Sequence, residues 1–140
     1  MNATSNDKSD TSNRELSRED FGLGMLAALH LLKLELLDKN KEREIHAGFL
    51  AAFKVIESHL GRERLLFSLS TNRTYGTSAD VFIIFSKWRG PWATEDSSGD
   101  FWRFNMDDAS AEERLAKLRG GRELYVEAAE AFLLCYRGYK

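Results

Sequence analysis

The chain has 140 residues, of which 43% are hydrophobic and 30% charged, and its formal net charge at pH 7 is -2. This length and composition are typical of one globular domain with a sizeable core. The acidic excess lies within the first twenty residues, so the rest of the chain is formally neutral. That balance disfavours tight non-specific binding to nucleic acid or anionic lipid. The one cysteine, Cys135, excludes an internal disulfide and any multi-cysteine zinc site.

The N-terminal segment differs from the rest in composition. Residues 1–19 are mainly Ser, Thr, Asn and charged residues, which cannot bury enough apolar surface to offset their chain entropy. We expect a disordered polar tail over 1–19 and a single α+β domain over 20–140. The tail lacks the apolar core of a signal peptide, and the longest uncharged stretch, 21–32, is too short to span a bilayer. A cytoplasmic protein with no membrane partner is therefore expected.

Two helices are predicted after the tail. Residues 21–38 are rich in Leu and Ala and contain no proline, which favours a helix. Because apolar side chains surround it almost completely, we expect this helix to be buried centrally or to form a surface for self-association or a partner. Residues 42–60 carry apolar side chains three and four positions apart and end before Gly61. The short polar connection predicts that the two helices form an antiparallel hairpin.

Three strands are predicted next. Residues 65–70 alternate between apolar and polar side chains toward their end, which indicates a strand with one buried face. Residues 79–88 are apolar on both faces of an extended chain and predict the central strand of a small antiparallel sheet. Gly90 and Pro91 end this segment, and residues 101–106 return as the third strand with Trp102 and Arg103 on opposite faces.

A helical region completes the chain. Ser110 and Glu113 have the spacing of a capping box, and apolar residues at helical spacing continue to the C-terminus. Gly120 and Gly121 interrupt the pattern and predict a bend between a short helix and a longer one. The sequence thus predicts an α+β fold with an N-terminal helical hairpin, a three-stranded antiparallel β-meander and a C-terminal helix.

The residues that most often catalyse reactions or bind metals form no convincing site. His30, His46 and His59 lie on the two predicted N-terminal helices, where two of them come near each other without a third ligand. Arg119, Arg122 and the glycines between them lack the features of a phosphate-binding loop, because a helix rather than a strand precedes them. No catalytic residue, metal ligand or cofactor is assigned.

The predicted order of elements resembles two known folds. With Asp80 opening the second strand, it is similar to the nuclease core that holds Mg²⁺, which implies a further acid and a lysine, as Glu-x-Lys, on the next strand. That strand reads Asp100-Phe-Trp-Arg-Phe-Asn, so an active nuclease is not expected. The order also resembles double-stranded-RNA-binding domains, whose second helix opens with lysines. Here residues 107–113 are acidic and would repel phosphate.

The most informative feature is a block rich in Trp and Arg. Trp and Arg are over-represented at binding hot spots, and exposed aromatics beside cations also stack on bases. The alternative is that Trp88 and Trp102 are cross-strand core partners. We interpret the chain as a non-enzymatic regulator, inhibitor or accessory subunit that binds a protein or another copy of itself, with nucleic-acid binding as the alternative and a degenerate nuclease-like enzyme less favoured. The candidate partner-binding residues are Arg73, Tyr75, Trp88, Arg89, Trp92, Trp102 and Arg103.

Overall fold

The structure is a computed structural model that describes residues 15–138. The five helices of this part are α1 (Arg18–Leu31), α2 (Glu42–Leu60), α3 (Ala79–Trp88), α4 (Asp108–Ala116) and α5 (Gly121–Tyr136). Three short strands, β1 (Leu36–Asp38), β2 (Ala93–Glu95) and β3 (Phe101–Phe104), form an antiparallel sheet in the order β1-β3-β2. The predicted α+β class, with a three-stranded antiparallel sheet and a C-terminal helix, is confirmed.

Helix α1 is the centre of the domain. The side chain of Ser17 caps it by accepting a hydrogen bond from the backbone N–H of Asp20 at 3.1 Å. Every residue from 21 to 29 is buried, because α3, α4 and α5 pack around the helix. The first helix is therefore enclosed by its own chain, and the prediction that it offers a surface for self-association or a partner is wrong.

The first helix is also shorter than predicted. It ends at Leu31, and Lys33 then takes a positive φ of 72°, which reverses the chain direction. The last three residues of the segment predicted as helix form β1, which pairs with β3. Leu37 is buried against the core, while the hydroxyl of Tyr136 accepts a hydrogen bond from the backbone N–H of Asp38 at 2.9 Å.

Helix α2 packs mainly against α5. A Cβ atom on Gly48 would lie 2.6 Å from the Phe132 ring, so the absence of a side chain at Gly48 allows this close approach. Contact between α1 and α2 is made through aromatic rings, with Phe21 meeting Phe49 and Phe53 at centroid distances of 6.3 and 6.1 Å. The two N-terminal helices thus lie in one core with α5 as the principal neighbour of α2.

Two of the three segments predicted as strands have other structure. Residues 79–88 form helix α3, in which Val81, Ile84 and Trp88 are buried at three- and four-residue spacing. A run of ten largely apolar residues fits a buried strand and a packed helix equally, and here tertiary packing selects the helix. Residues 66–70 are not in a strand, and Leu65 makes only an isolated bridge to Leu16. The third segment, predicted as a strand over residues 101–106, contains β3 at residues 101–104.

The predicted bend near the C-terminus is confirmed. Gly120 and Gly121 have φ values of 91° and 69°, which favour glycine, and they separate α4 from α5. The cap of α4 differs from the prediction, because the Asp107 carboxylate, rather than Ser110, accepts the hydrogen bond, from the Ser110 backbone N–H at 2.7 Å.

The folded domain begins before residue 20. Leu16 is buried and exchanges backbone hydrogen bonds with Arg64 and Leu66, so residues 15–19 belong to the domain rather than to the predicted tail. The rest of that predicted tail, residues 1–14, lies outside the described residues. Within residues 15–138, none of the helices has both the length and the apolar character needed to cross a bilayer.

Candidate functional site

Trp88 belongs to the core. Its side chain is 1% exposed and lies among Phe49, Phe85 and Phe104, with ring centroids 5.2 to 5.8 Å away. The indole N–H donates a hydrogen bond to the backbone carbonyl of Gly22 at 3.2 Å, which satisfies its polar atom inside the protein. Trp88 is therefore a core residue and is too buried to contact a partner, but it is not the cross-strand partner of Trp102, because it lies on helix α3.

Trp102 and Arg89 do lie together at the surface. Trp102 is half-buried on β3, with the Lys39 ammonium 4.3 Å and the Arg89 guanidinium 5.8 Å from its ring centroid. Lys39 also pairs with the Glu95 carboxylate, and that hydrogen bond and charge lower the pKa of Glu95 below its ordinary value. Two cations therefore lie beside the Trp102 indole.

Trp92 has different neighbours. It is half-buried, and the Arg114 guanidinium of α4 lies 5.2 Å from its ring centroid. It borders a cleft of 360 Å³ that is also lined by Asp20 and by charged residues of α4. The structure therefore brings Trp92 together with α4 rather than with the surface around Trp102.

The remaining predicted residues are exposed but scattered. Arg103 follows Trp102 in β3, so its side chain leaves the opposite face of the sheet. Arg73 and Tyr75 lie in the turn before α3, where the Asn72 side chain accepts hydrogen bonds from the backbone N–H groups of Thr74 and Tyr75. Within residues 15–138, no ring or cation contact joins this turn to an indole. Of the predicted set, Arg89 and Trp102 have side chains in contact with each other.

Sequence reasoning missed the exposed apolar face of α3. Phe82 and Ile83 are 49% and 38% exposed, and Leu66, which lies near Ile83, is 67% exposed. Phe82 lines a cleft together with Trp102, whereas Ile83 lines another together with Leu66. We call the surface formed by Leu66, Phe82, Ile83 and Trp102 the α3 face. Helical spacing across residues 79–88 would have separated these exposed residues from the buried Val81, Ile84 and Trp88.

His46 is the most enclosed titratable group beside this surface. The side chain is 1% exposed, and its Nδ1 accepts a hydrogen bond from the backbone N–H of Ser78 at 2.7 Å. The Phe82 ring lies against the imidazole with a centroid distance of 4.7 Å. Burial lowers the pKa of His46 below its ordinary value of 6.5, although the nearby Glu42 carboxylate opposes the shift. The neutral imidazole of His46 therefore holds the backbone of Ser78, the residue before α3, by a hydrogen bond.

The stability of the domain should depend on pH through His46. Below pH 6.5 the unfolded chain takes up the His46 proton before the folded protein does, so acidification favours unfolding. A proton on Nδ1 would also oppose the Ser78 N–H. We expect the free energy of unfolding to fall between about pH 7 and about pH 5, and to fall less in His46→Asn, which keeps an acceptor for Ser78. Urea unfolding at several pH values measures how steeply the free energy of unfolding changes with pH in the unaltered protein and in His46→Asn. An equal dependence on pH in the two proteins would contradict this role of His46.

The other titratable candidates are engaged in ordinary pairs. His30 Nε2 lies 2.7 Å from the Asp108 carboxylate, and His59 accompanies Glu127 at 3.7 Å. Asp80 lies in the first turn of α3 and pairs with Arg18 at 2.8 Å, so the strand position on which a nuclease-like site depended is wrong. In the described part of the chain, no three His, Cys, Asp or Glu residues are grouped so that they could hold a metal ion.

No protein-family model, curated protein or solved structure matches this chain. Its function is therefore inferred from its own surfaces. Helix α3 combines exposed apolar and charged side chains, since Phe82 and Ile83 are exposed on the same helix as Lys87, with Arg89 directly after it.

Proposed function

We propose that this chain is a non-enzymatic protein-binding module, a regulator or accessory subunit, whose α3 face binds an acidic amphipathic segment of a partner protein. The observation that supports this proposal is the exposure of Phe82 and Ile83, which are consecutive on α3 and border two clefts, one shared with Trp102 and the other with the exposed Leu66. Single exposed apolar residues are common, but several that adjoin one another beside aromatic and cationic groups are typical of binding sites.

Water solvates these apolar side chains at a free-energy cost that a partner can remove. Full burial of a Leu, Ile or Phe side chain contributes about 1.5–3 kcal/mol, and all three here retain a large exposed fraction. A partner that covers them with apolar groups recovers part of this free energy. The cleft between Phe82 and Trp102 adds a concave seat for one anchoring side chain, which is the geometry in which hot-spot residues are most effective.

The charges beside the α3 face favour an acidic partner. Lys87 and Arg89 are both exposed; no ion pair found among residues 15–138 engages Lys87, whereas Arg89 lies over the Trp102 ring and near the Glu95 carboxylate. Carboxylates of a partner placed opposite these cations would accelerate association and fix its orientation. Acidic residues also border the α3 face, with Glu19 and Glu42 lining its two clefts and Glu95 opposite Trp102, so the partner's carboxylates are expected near Lys87.

A protein partner is favoured over single-stranded nucleic acid by the surroundings of Trp102. Base stacking needs an open aromatic face, whereas the Lys39 ammonium already lies 4.3 Å from the Trp102 ring centroid. The exposed Phe82, Ile83 and Leu66 side chains are apolar, and a sugar-phosphate backbone offers them no apolar side chains to contact. These features fit apolar anchors of a peptide better than a nucleic-acid backbone.

The proposal is tested by selecting peptides from a displayed random library on the purified protein. We expect selected peptides to contain apolar residues at helical spacing and an excess of Asp and Glu, and to bind less tightly as salt increases. Phe82→Ser is expected to weaken their binding at least about tenfold, because one anchor contact is lost. Leu134→Ser is the matched control, since Leu134 is 53% exposed on α5, away from the α3 face.

Three outcomes would contradict the proposal. The first is a selection that yields no peptide whose binding distinguishes Phe82→Ser from Leu134→Ser. The second is a set of selected peptides without acidic residues. The third is a dimer in light scattering that Phe82→Ser dissociates, because the occupant of the α3 face would then be a second copy of this chain rather than an acidic partner.

A further inference from the structure

A small apolar cleft lies beside α3 and extends toward the core. It has a volume of 240 Å³ and is lined by Ile45, His46, Phe82, Phe85 and Trp102, with Lys39 and Glu42 at its edge. Small-molecule sites in proteins are concave, mostly apolar and equipped with a few polar groups, and they usually measure about 300–1,000 Å³. This cleft has that character but is somewhat smaller than this range, which restricts it to a ligand of about one ring.

His46, which lines this cleft, has a buried hydrogen-bonding atom that is unused. Its side chain is 1% exposed, and its Nε2 atom has no hydrogen-bond partner among the described residues. Buried polar atoms are rarely left without a partner, because the loss of hydration is not offset. An orphaned atom on a side chain that lines a cleft indicates that a bound molecule completes its hydrogen bonding.

The chemistry of the missing partner follows from the other ring nitrogen. A backbone N–H always carries its proton, so the hydrogen bond from Ser78 requires His46 Nδ1 to be unprotonated. The neutral imidazole then has its proton on Nε2, which is a donor. The ligand must therefore present an acceptor to His46, and a carbonyl oxygen meets this requirement without introducing charge.

The edge of the cleft favours a neutral ligand. Lys39 is already paired with Glu95, and Glu42 lies near His46 with the opposite charge. Neither a net anion nor a net cation is selected by this arrangement. The three aromatic side chains in the lining, Phe82, Phe85 and Trp102, favour a planar aromatic body that contacts them by its edge or face.

We propose that this cleft binds a small neutral aromatic molecule whose carbonyl oxygen accepts a hydrogen bond from His46 Nε2. Phe82 is the movable element of the site. Its ring now lies against the imidazole at a centroid distance of 4.7 Å, while 49% of the residue is exposed. Rotation of this side chain to another helical rotamer clears the imidazole, and the aromatic ring of the ligand takes its place.

The test uses the purified protein and two matched probes, acetophenone and α-methylstyrene. The two molecules have nearly the same shape, but only acetophenone has an acceptor oxygen. Nuclear magnetic resonance of the imidazole nitrogens and of the Trp102 indole N–H reports binding at the site. We expect saturable shifts at both positions and an affinity for acetophenone about tenfold higher than for α-methylstyrene, since only acetophenone satisfies the buried donor. Equal affinities, or no shift at His46, would overturn the proposal.

Two variants on α2 sharpen the result. His46→Asn keeps an acceptor for the Ser78 N–H but removes the Nε2 donor, so the preference for acetophenone should disappear. His59→Asn is the control, because His59 lies on the same helix with half of its side chain exposed and should retain the preference. A preference that survives in His46→Asn would assign the acceptor contact to another group. If His46→Asn does not fold, the comparison of the two probes on the unaltered protein still decides.

This site shares Phe82 and Trp102 with the α3 face, so the small ligand and a partner's anchoring side chain would compete for the cleft, but the two kinds of binding are tested separately. The probe experiment contains no peptide, and the peptide selection contains no aromatic probe. If acetophenone binds as expected but the peptide selection yields no acidic peptides, the ligand site is supported and the docking proposal is contradicted. If acidic peptides bind in a way that requires Phe82 but the two probes bind equally well, the docking proposal is supported and the ligand site is contradicted.

Discussion

Trp88→Ala is expected to lower the free energy of unfolding by about 3–5 kcal/mol, the range for truncating a buried aromatic side chain. Trp88 is 1% exposed, and its removal would leave a cavity among the rings of Phe49, Phe85 and Phe104. The Gly22 carbonyl would also lose its hydrogen bond from the indole. Because domains of this size have a total stability of about 5–15 kcal/mol, urea unfolding should show a large shift of the midpoint.

Trp92→Ala is the matched control for this measurement. The Trp92 ring is half-buried and packs under Arg114 at the edge of the domain, so its loss should cost clearly less than the loss of Trp88. Equal destabilisation by the two substitutions would contradict the assignment of Trp88 to the core. It would indicate instead that Trp88 lies at the surface.

Gly24→Ala is expected to destabilise the protein by about 2 kcal/mol, although alanine is the better helix former by about 1 kcal/mol. The added Cβ atom would lie 2.5 Å from Cε1 of Tyr125 and 2.8 Å from Leu118. Tyr125 is fully buried and cannot move without disturbing the packing of α5 against α1. The steric cost therefore exceeds the gain in helix propensity.

A double-mutant cycle isolates this contact. Tyr125→Leu replaces the ring that the new methyl group would strike, so the pair Gly24→Ala with Tyr125→Leu should be at least about 1 kcal/mol more stable than additivity predicts. Additive losses, or a stabilisation by Gly24→Ala alone, would show that α1 and α5 do not approach each other as closely as described.

The parts of the fold that local signals determine were predictable. Residues 42–60 have a clear helical period and a terminal glycine, and they form α2 ending before Gly61. Two adjacent glycines predicted the break between α4 and α5, where both adopt positive φ. The alternation of residues 101–104 likewise identified β3. In each case the residue types restrict the backbone without reference to distant parts of the chain.

The parts that depend on distant contacts were not predictable. Residues 79–88 have apolar side chains at strand and at helix spacing, and the choice is made by the packing of Val81, Ile84 and Trp88 on α1 and α2. Residues 36–38 continue a Leu-rich run, but their pairing with β3 turns them into a strand. Local patterns contain no information on which remote segment will supply the partner.

The same distinction explains the outcome for the candidate site. Sequence proximity was enough to place Arg89 with the Trp88-to-Trp102 region, and Arg89 does lie beside the Trp102 ring. It could not show that Trp88 is sealed in the core or that Phe82 and Ile83 face outward, because both depend on α3 being a helix. The surface left over for a partner is smaller than the apolar first helix suggested, since that helix is enclosed.

The docking of an acidic amphipathic segment on the α3 face is tested most directly by mapping a selected peptide onto the protein. Titration with the peptide, followed by amide and indole resonances, locates the contact residue by residue. We expect the largest shifts at Phe82, Ile83 and the Trp102 indole, with little change around Leu134. Largest shifts on α5 around Leu134, or in the turn around Tyr75, would contradict the account.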